Sequence, residues 1–172
     1  MKSKWHSITE EDLARHLPST FDLTLVTLKG HLLLEASLED YIRATLEKPE
    51  VLLDKTRLQF DVKVKLAHAL SGDTPPPMFW TAIDNLNKIR NSLAHRLNDN
   101  NLQNLQTEFV RLTKQVGFVP LPEDSNDDEY VGAISFLAGV FSGMILSLNG
   151  WNPPLNSGGK SGTTPKADLP TT

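Results

Sequence analysis

The stretch Trp80-Thr-Ala-Ile-Asp-Asn-Leu-Asn-Lys-Ile-Arg-Asn-Ser-Leu-Ala-His-Arg-Leu97 decides the fold. At about 100° per residue it reads as one amphipathic helix. Ala82, Leu86, Ile89, Leu93 and Leu97 fall on a single apolar stripe, while Asp84, Asn87, Asn91 and His95 cluster on a polar arc. Arg90 lies at the edge of that arc, beside the stripe, where packing can hold its guanidinium. Asn, Asp and Ser are poor formers of helix interiors because their side chains compete for the backbone. A merely solvated face is met more cheaply by Glu, Lys or Ala. Short hydrogen-bonding side chains are therefore wanted here, next to an Arg and a His.

Working outward, the chain before this helix reads as further helices. Residues 1–8 read as a loose arm. Thr9-Glu-Glu-Asp12 reads as a capping box opening a short helix that Pro18 ends. Ser19 or Thr20 is expected to cap a long helix to about Leu46, with Phe21, Leu25, Leu28, Leu32, Ala36 and Ile42 as its apolar positions. Gly30 inside it costs about 1 kcal/mol of helix propensity against Ala, which points to close packing. Lys48-Pro49 breaks the pattern. A helix is expected over Arg57 to Leu70, burying Leu58, Val62, Leu66 and Ala69, with Gly72 as its stop signal. Asp73-Thr-Pro-Pro-Pro77 is a stiff connector.

After the central helix, another is expected from Asn101 to Val116, apolar at Leu102, Leu105, Phe109 and Leu112. Glu123, Asp124, Asp127, Asp128 and Glu129 read as an acidic loop. Val131 to Leu148 carries no charge. Its length invites comparison with a membrane span, but serines and glycines dilute it and no basic flank lies close. A buried or dimer-interface helix is the favoured reading, and Gly139-x-x-x-Gly143 allows tight helix contact. The pattern predicts one all-α domain over 1–150, an up-and-down bundle with a four-helix core plus one or two extra helices. The segment 151–172, rich in Ser, Gly, Thr, Pro and Lys, is expected to be disordered.

Apolar content of 39% and charged content of 22% sit in the ordinary soluble range. The chain has no cysteine, which excludes thiolate metal sites and thiol nucleophiles and is compatible with a reducing cytoplasm. Its opening residues lack the apolar core of a signal peptide. A net charge of −4 argues against a broadly basic coat for duplex DNA. Setting aside the five loop acids leaves the remaining acids nearly matched to 17 Lys plus Arg, with room for a local basic groove.

Arg90-Asn91-Ser92-Leu93-Ala94-His95, an Arg followed by a polar residue and by His five positions on, resembles the motif of the HEPN (higher eukaryotes and prokaryotes nucleotide-binding) domain family. Gly30-His-Leu-Leu-Leu-Glu35 is similar to a segment of small mannitol-repressor-like and HEPN-like proteins. The resemblance covers about residues 20 to 148. It implies a helical bundle, commonly homodimeric, in which Arg90, Asn91 and His95 form the catalytic set of a metal-independent endoribonuclease. Such enzymes act as toxins or in phage defence, with an antitoxin or other regulatory protein as partner. Lys29, His31, Asn87 and Arg96 are the further candidates for contacting RNA. No cofactor, metal or DNA is implied, and the expected location is cytoplasmic.

The chemistry suits the residues. Histidine can take a proton from a ribose 2′-hydroxyl near neutral pH, and arginine can fork two donors onto a phosphate. Arg90 and His95 lie about 140° apart on a regular helix, so pairing across a twofold axis is the expected way to converge them. Ordinary alternatives stand beside each candidate. Arg and His suit a helix C-terminus electrostatically. His31 and Glu35 share a helical face and are expected to make a surface hydrogen bond rather than bind metal. His68 reads as a packed or semi-exposed helix residue; Lys63 and Lys65, on a helix that also carries Arg57, could give a modest phosphate-attracting surface, with a merely solvated face the favoured reading. A non-catalytic mannitol-repressor-like regulatory or protein-interaction module is the alternative for the whole chain.

Overall fold

The structure, a computed structural model, describes residues 21–95 and 101–150, without the His95 side chain. The expectations for Thr9–Asp12, Pro18, Ser19 and Thr20, for Arg96 and Leu97, and for the tail 151–172 fall outside the described residues. Among the described residues there are six helices and no strand: α1 (Leu23–Thr45), α2 (Pro49–Leu53), α3 (Phe60–Leu70), α4 (Pro77–His95), α5 (Leu102–Val116) and α6 (Asn126–Leu148). The chain is all-α, as its periodicity requires.

The helix ends are set by local chemistry. The cap of α1 is Asp22 rather than the expected Ser19 or Thr20, its carboxylate accepting the Leu25 amide at 2.9 Å. Proline opens both α2 and α4, at positions whose amide has no partner in a helix. Gly72 and Gly117 follow α3 and α5 with φ of 66° and 118°, left-handed values that favour glycine. The last helix starts five residues before Val131. Ser125 and Asp128 form a capping box there, and Asp127, Asp128 and Glu129 fill its first turn. Three of the five acids read as a loop thus face the positive end of a helix dipole.

Within the core, Thr27 and Tyr130 share a hydroxyl hydrogen bond of 2.9 Å and Tyr41 lies 6.1 Å from Phe141, so α1 and α6 run side by side in the same direction. Two parallel neighbours depart from the alternation of the expected up-and-down bundle, and Phe118, between α5 and α6, packs against Phe136. Phe79 and Trp80 of α4 stand edge-on to Phe141 at 5.2 and 6.0 Å. Ala82, Ile83, Leu86 and Ile89 carry the same buried face down the helix, so the apolar stripe of the opening stretch is the seam of the fold.

Two apolar faces differ from the expected ones. Phe21, just before α1, and Leu25, Leu28, Leu32 and Ala36 on it are exposed, Leu32 by 64%, and only Ile42 of the expected set is buried. Val26, Leu33, Leu34, Leu38 and Tyr41 supply the core instead. This helix is apolar on more than one side, so periodicity does not select a face. On α3, Val62 and Ala69 are exposed while Val64 and Ala67 are buried. Arg57 and Leu58 precede that helix rather than begin it, and Pro49, read as a break, starts the short α2. The final helix is long and apolar enough by composition to cross a membrane, with 33% of its apolar window buried against the bundle.

Gly30 is a direct test of this packing. A Cβ built there would lie 2.7 Å from Cγ2 of Ile134 and 2.9 Å from its Cδ1. Alanine gains about 1 kcal/mol of helix propensity, but overpacking costs about 1–3 kcal/mol. Gly30→Ala is expected to lower stability, whereas Gly139→Ala, with open space around its Cβ, should raise it by up to about 1 kcal/mol. Urea denaturation of the two variants checks this, and a stabilised Gly30→Ala would contradict the α1–α6 contact.

Candidate functional site

Asn87, Arg90 and Asn91 stand at i, i+3 and i+4 of α4 and so share one face. Beside that face the structure opens a groove of about 660 Å³. These three line it with His31 and Glu35 of α1 and the run from Arg57 to Asp61 at the start of α3. Its volume falls in the range of about 300–1,000 Å³ that receives one small ligand.

His31 is the group at the bottom. It is 6% exposed. Its Nε2 lies 3.2 Å from Oδ1 of Asn87. A carbonyl oxygen only accepts, so Nε2 carries the proton and Nδ1 of the neutral ring keeps its lone pair. The ring lies on Phe60 with centroids 4.0 Å apart. Burial pushes the imidazole below its ordinary value of 6.5, and the charges of Arg90 and Lys63 push the same way, against the Asn87 bond and Glu35. The groove therefore holds a neutral imidazole at neutral pH.

Arg90 is half-buried and its Nη1 donates to Oδ1 of Asn91 at 3.0 Å. Placement beside the apolar stripe holds it as its position predicts. That one bond leaves guanidinium donors for an anion. Glu35 does not bond His31. Its carboxylate accepts from Lys63 at 2.6 Å, and Glu39 bonds the same ammonium. Lys63 is buried rather than part of a solvated face. Burial acts to lower its pKa, yet the bonds to Glu35 and Glu39 hold it above the ordinary value.

The structure thus gathers Arg90, Asn91, Asn87 and His31 at one groove. Lys29 is partly exposed on α1 and does not line it. His95 is the last residue of α4, its side chain outside the described part, as is Arg96. Phe60 is a groove residue with no signal in the sequence, and Arg57, expected at most on a weak basic surface with Lys63 and Lys65, lines the groove because the folded contact between α1 and α3 brings it in. His68 is exposed yet stacks on Trp80 at 4.7 Å, away from the groove lining. Among the described residues no group of three or more His, Cys, Asp or Glu is placed to hold a metal ion.

The neutral His31 carries a stability signature. Its folded pKa is depressed, so as pH falls through about 6.5 the unfolded chain takes up a proton first. The contribution is present above that value and is lost below it. Wild type is expected to lose stability between about pH 7.5 and pH 5.5 more steeply than His31→Gln. Urea unfolding at the two pH values measures the difference. Equal slopes would show that His31 is not held neutral by its surroundings.

Comparison with family models, with curated proteins and with solved structures returns no match to this chain. The reading of the groove rests on its own chemistry.

Proposed function

We propose that the protein is a metal-independent endoribonuclease of HEPN type, working on single-stranded or loop RNA. The observation that carries this reading is the shared face of Asn87, Arg90 and Asn91, which opens onto a groove with a buried neutral histidine. Arg90 binds the phosphate and stabilises the charge that builds on its oxygens. Asn91 bonds Arg90 and so fixes how the guanidinium faces the groove. On the resemblance, His95 takes the proton of the ribose 2′-hydroxyl. The 2′-oxygen attacks phosphorus, the bond to the 5′-oxygen breaks, and that oxygen leaves with a proton. The products carry 2′,3′-cyclic phosphate and 5′-hydroxyl ends. Unpaired RNA suits the reaction because its sugar can rotate into line for attack.

The exposed apolar residues Leu25, Leu28 and Leu32 on α1 support association of two copies. Two Arg90–His95 pairs then meet around one cleft in a HEPN-like bundle. A cytoplasmic toxin or phage-defence effector, held in check by a regulatory protein, is the biological setting that fits. The same exposed stripe favours the second reading, a non-catalytic protein-interaction module of mannitol-repressor-like type.

Purified protein is expected to cut single-stranded RNA in the presence of a chelator and to leave cyclic phosphate ends. Arg90→Ala and His95→Ala should each reduce cleavage by about a hundredfold or more, with circular dichroism still helical. Wild-type protein that cuts no RNA, or variants that cut as fast, would remove the catalytic claim and favour the interaction module.

A further inference from the structure

We propose that Arg57, with Lys55 beyond it, is a second phosphate-binding element, so that the substrate is a strand of several nucleotides laid from Arg90 across the loop that precedes α3. This rests on the ribonuclease reading and adds to it which residues hold the strand away from the reacting bond.

The first ground is the shape of the surface. The groove of about 660 Å³ beside Arg90 adjoins a second hollow of about 300 Å³. Arg57 and Leu58 line both, and Lys55 lines the second. The connection between α2 and α3 is thus the wall that the two neighbouring hollows share. A single phosphate needs only the Arg90 end. A second hollow past Arg57 suits a polymer, whose next phosphate comes at a fixed distance along the backbone.

The second ground is the charge left over after pairing. Lys63 is held between Glu35 and Glu39, Arg43 pairs with Asp54, and Lys65 lies 3.6 Å from Asp61. Each acid of the Arg90 groove, Glu35 and Asp61, thus has a cation beside it, with one negative charge left over where Glu35 and Glu39 share the single Lys63 ammonium. Arg57 and Lys55 are exposed and form no ion pair among the described residues. Among the described residues Arg90 bonds the neutral Asn91 and forms no ion pair. Three cations without counter-charge among the described residues, Arg90, Arg57 and Lys55, therefore stand on these two hollows, whereas Lys29, Lys48 and Lys88, equally without an ion pair there, line neither. Guanidinium groups in particular offer planar donors that match phosphate oxygens.

Between Arg90 and Arg57 the groove offers Phe60 and the amides of Asn87 and Asn91. A nucleotide's sugar and base, which are flat, apolar on the face and polar at the edge, match that lining. The ligand class is therefore single-stranded RNA spanning at least two phosphates, rather than a free mononucleotide.

Binding separates this proposal from the cleavage claim. The probe is a fluorescent oligouridylate with 2′-O-methyl sugars, which cannot be cut, titrated by anisotropy against full-length protein at several salt concentrations. Arg57→Ala is expected to weaken binding about tenfold and to lower the salt slope by about one, and Arg57→Lys to recover part of the loss. Lys55→Ala should act in the same direction with a smaller effect. Arg111→Ala, which removes a cation paired with Glu108 on α5, should leave binding unchanged. With cleavable substrates, Arg57→Ala should raise KM for the oligomer but not for a dinucleotide.

Unchanged affinity and salt slope in Arg57→Ala overturn the proposal, even if wild-type protein cuts RNA. Equal loss in Arg57→Ala and Arg111→Ala overturns it too, since only diffuse charge is then at work. Oligomer binding that needs Arg57 but is followed by no cleavage supports this site while sinking the nuclease reading.

Discussion

The arrangement of the groove depends on one buried ammonium group. Lys63 is only 6% exposed, and an isolated charge at such a site is costly enough to be avoided or neutralised. Here Glu35 and Glu39, one turn apart on α1, both accept from it. The bond works only if α3 lies along α1 at one register. That register puts Phe60, three residues before Lys63, against the ring of His31, four residues before Glu35. Fixing the ammonium fixes the aromatic floor of the site. Such a pair adds little net stability, because desolvation offsets its attraction. Its use is in specifying which of several apolar registers the short α3 adopts.

The central helix resolves a conflict of a different kind. Asn85, Asn87, Asn91 and Ser92 weaken it as a helix, each by several tenths of a kcal/mol relative to Ala, on the order of 2 kcal/mol together. Full burial of one large apolar side chain is worth about 1.5–3 kcal/mol, and α4 buries Phe79, Trp80, Ile83, Leu86 and Ile89. Packing therefore wins by a wide margin, and the polar face is left to chemistry. The same reasoning explains why the amides stay useful. Asn87 is locked by His31 and Asn91 by Arg90, so neither needs to order itself when a ligand arrives.

Much of this was legible in the sequence, and most of the parts that were not share a cause. The helices announced themselves through their apolar spacing and through the stop signals Gly72 and Gly117, whereas the caps at Asp22 and Ser125 and the start at Pro49 were not foreseen. The α4 stripe was legible because its other face is polar. On α1 the Leu25–Leu28–Leu32 series and the Val26–Leu34–Leu38 series are both apolar at helical spacing, and only a partner decides between them. Lys63 was read as solvated for the same reason, since its partners lie 24 and 28 residues away. The Arg90–Asn91 end of the groove followed from one helix. His31 could be suspected but not placed, because its partner Asn87 is 56 residues on. Arg57 could be grouped with Lys63 and Lys65 as a weak basic surface, but its place beside Arg90 depends on the folded contact between α1 and α3.

The acidic balance of the chain is compatible with such a groove once the location of its acids is considered. A net charge of −4 is modest, and several of its acids are paired or sit at a helix start. Asp127, Asp128 and Glu129 complement the dipole at the start of α6. Glu129 also pairs with Lys114 at 2.8 Å, lining a groove on α5 and α6 that shares no residue with the Arg90 groove. Glu35 and Glu39 are spent on Lys63. Potential near a half-buried cation is set by neighbours within about one Debye length, roughly 8–10 Å at ordinary salt, so distant acids weigh little against Arg90. A site with two or three free cations releases few counterions, and its affinity should fall only gently with salt compared with proteins that coat duplex DNA. Recognition by such a site comes from fit within the groove rather than from long-range attraction, which suits a short unpaired segment whose bases can be reached.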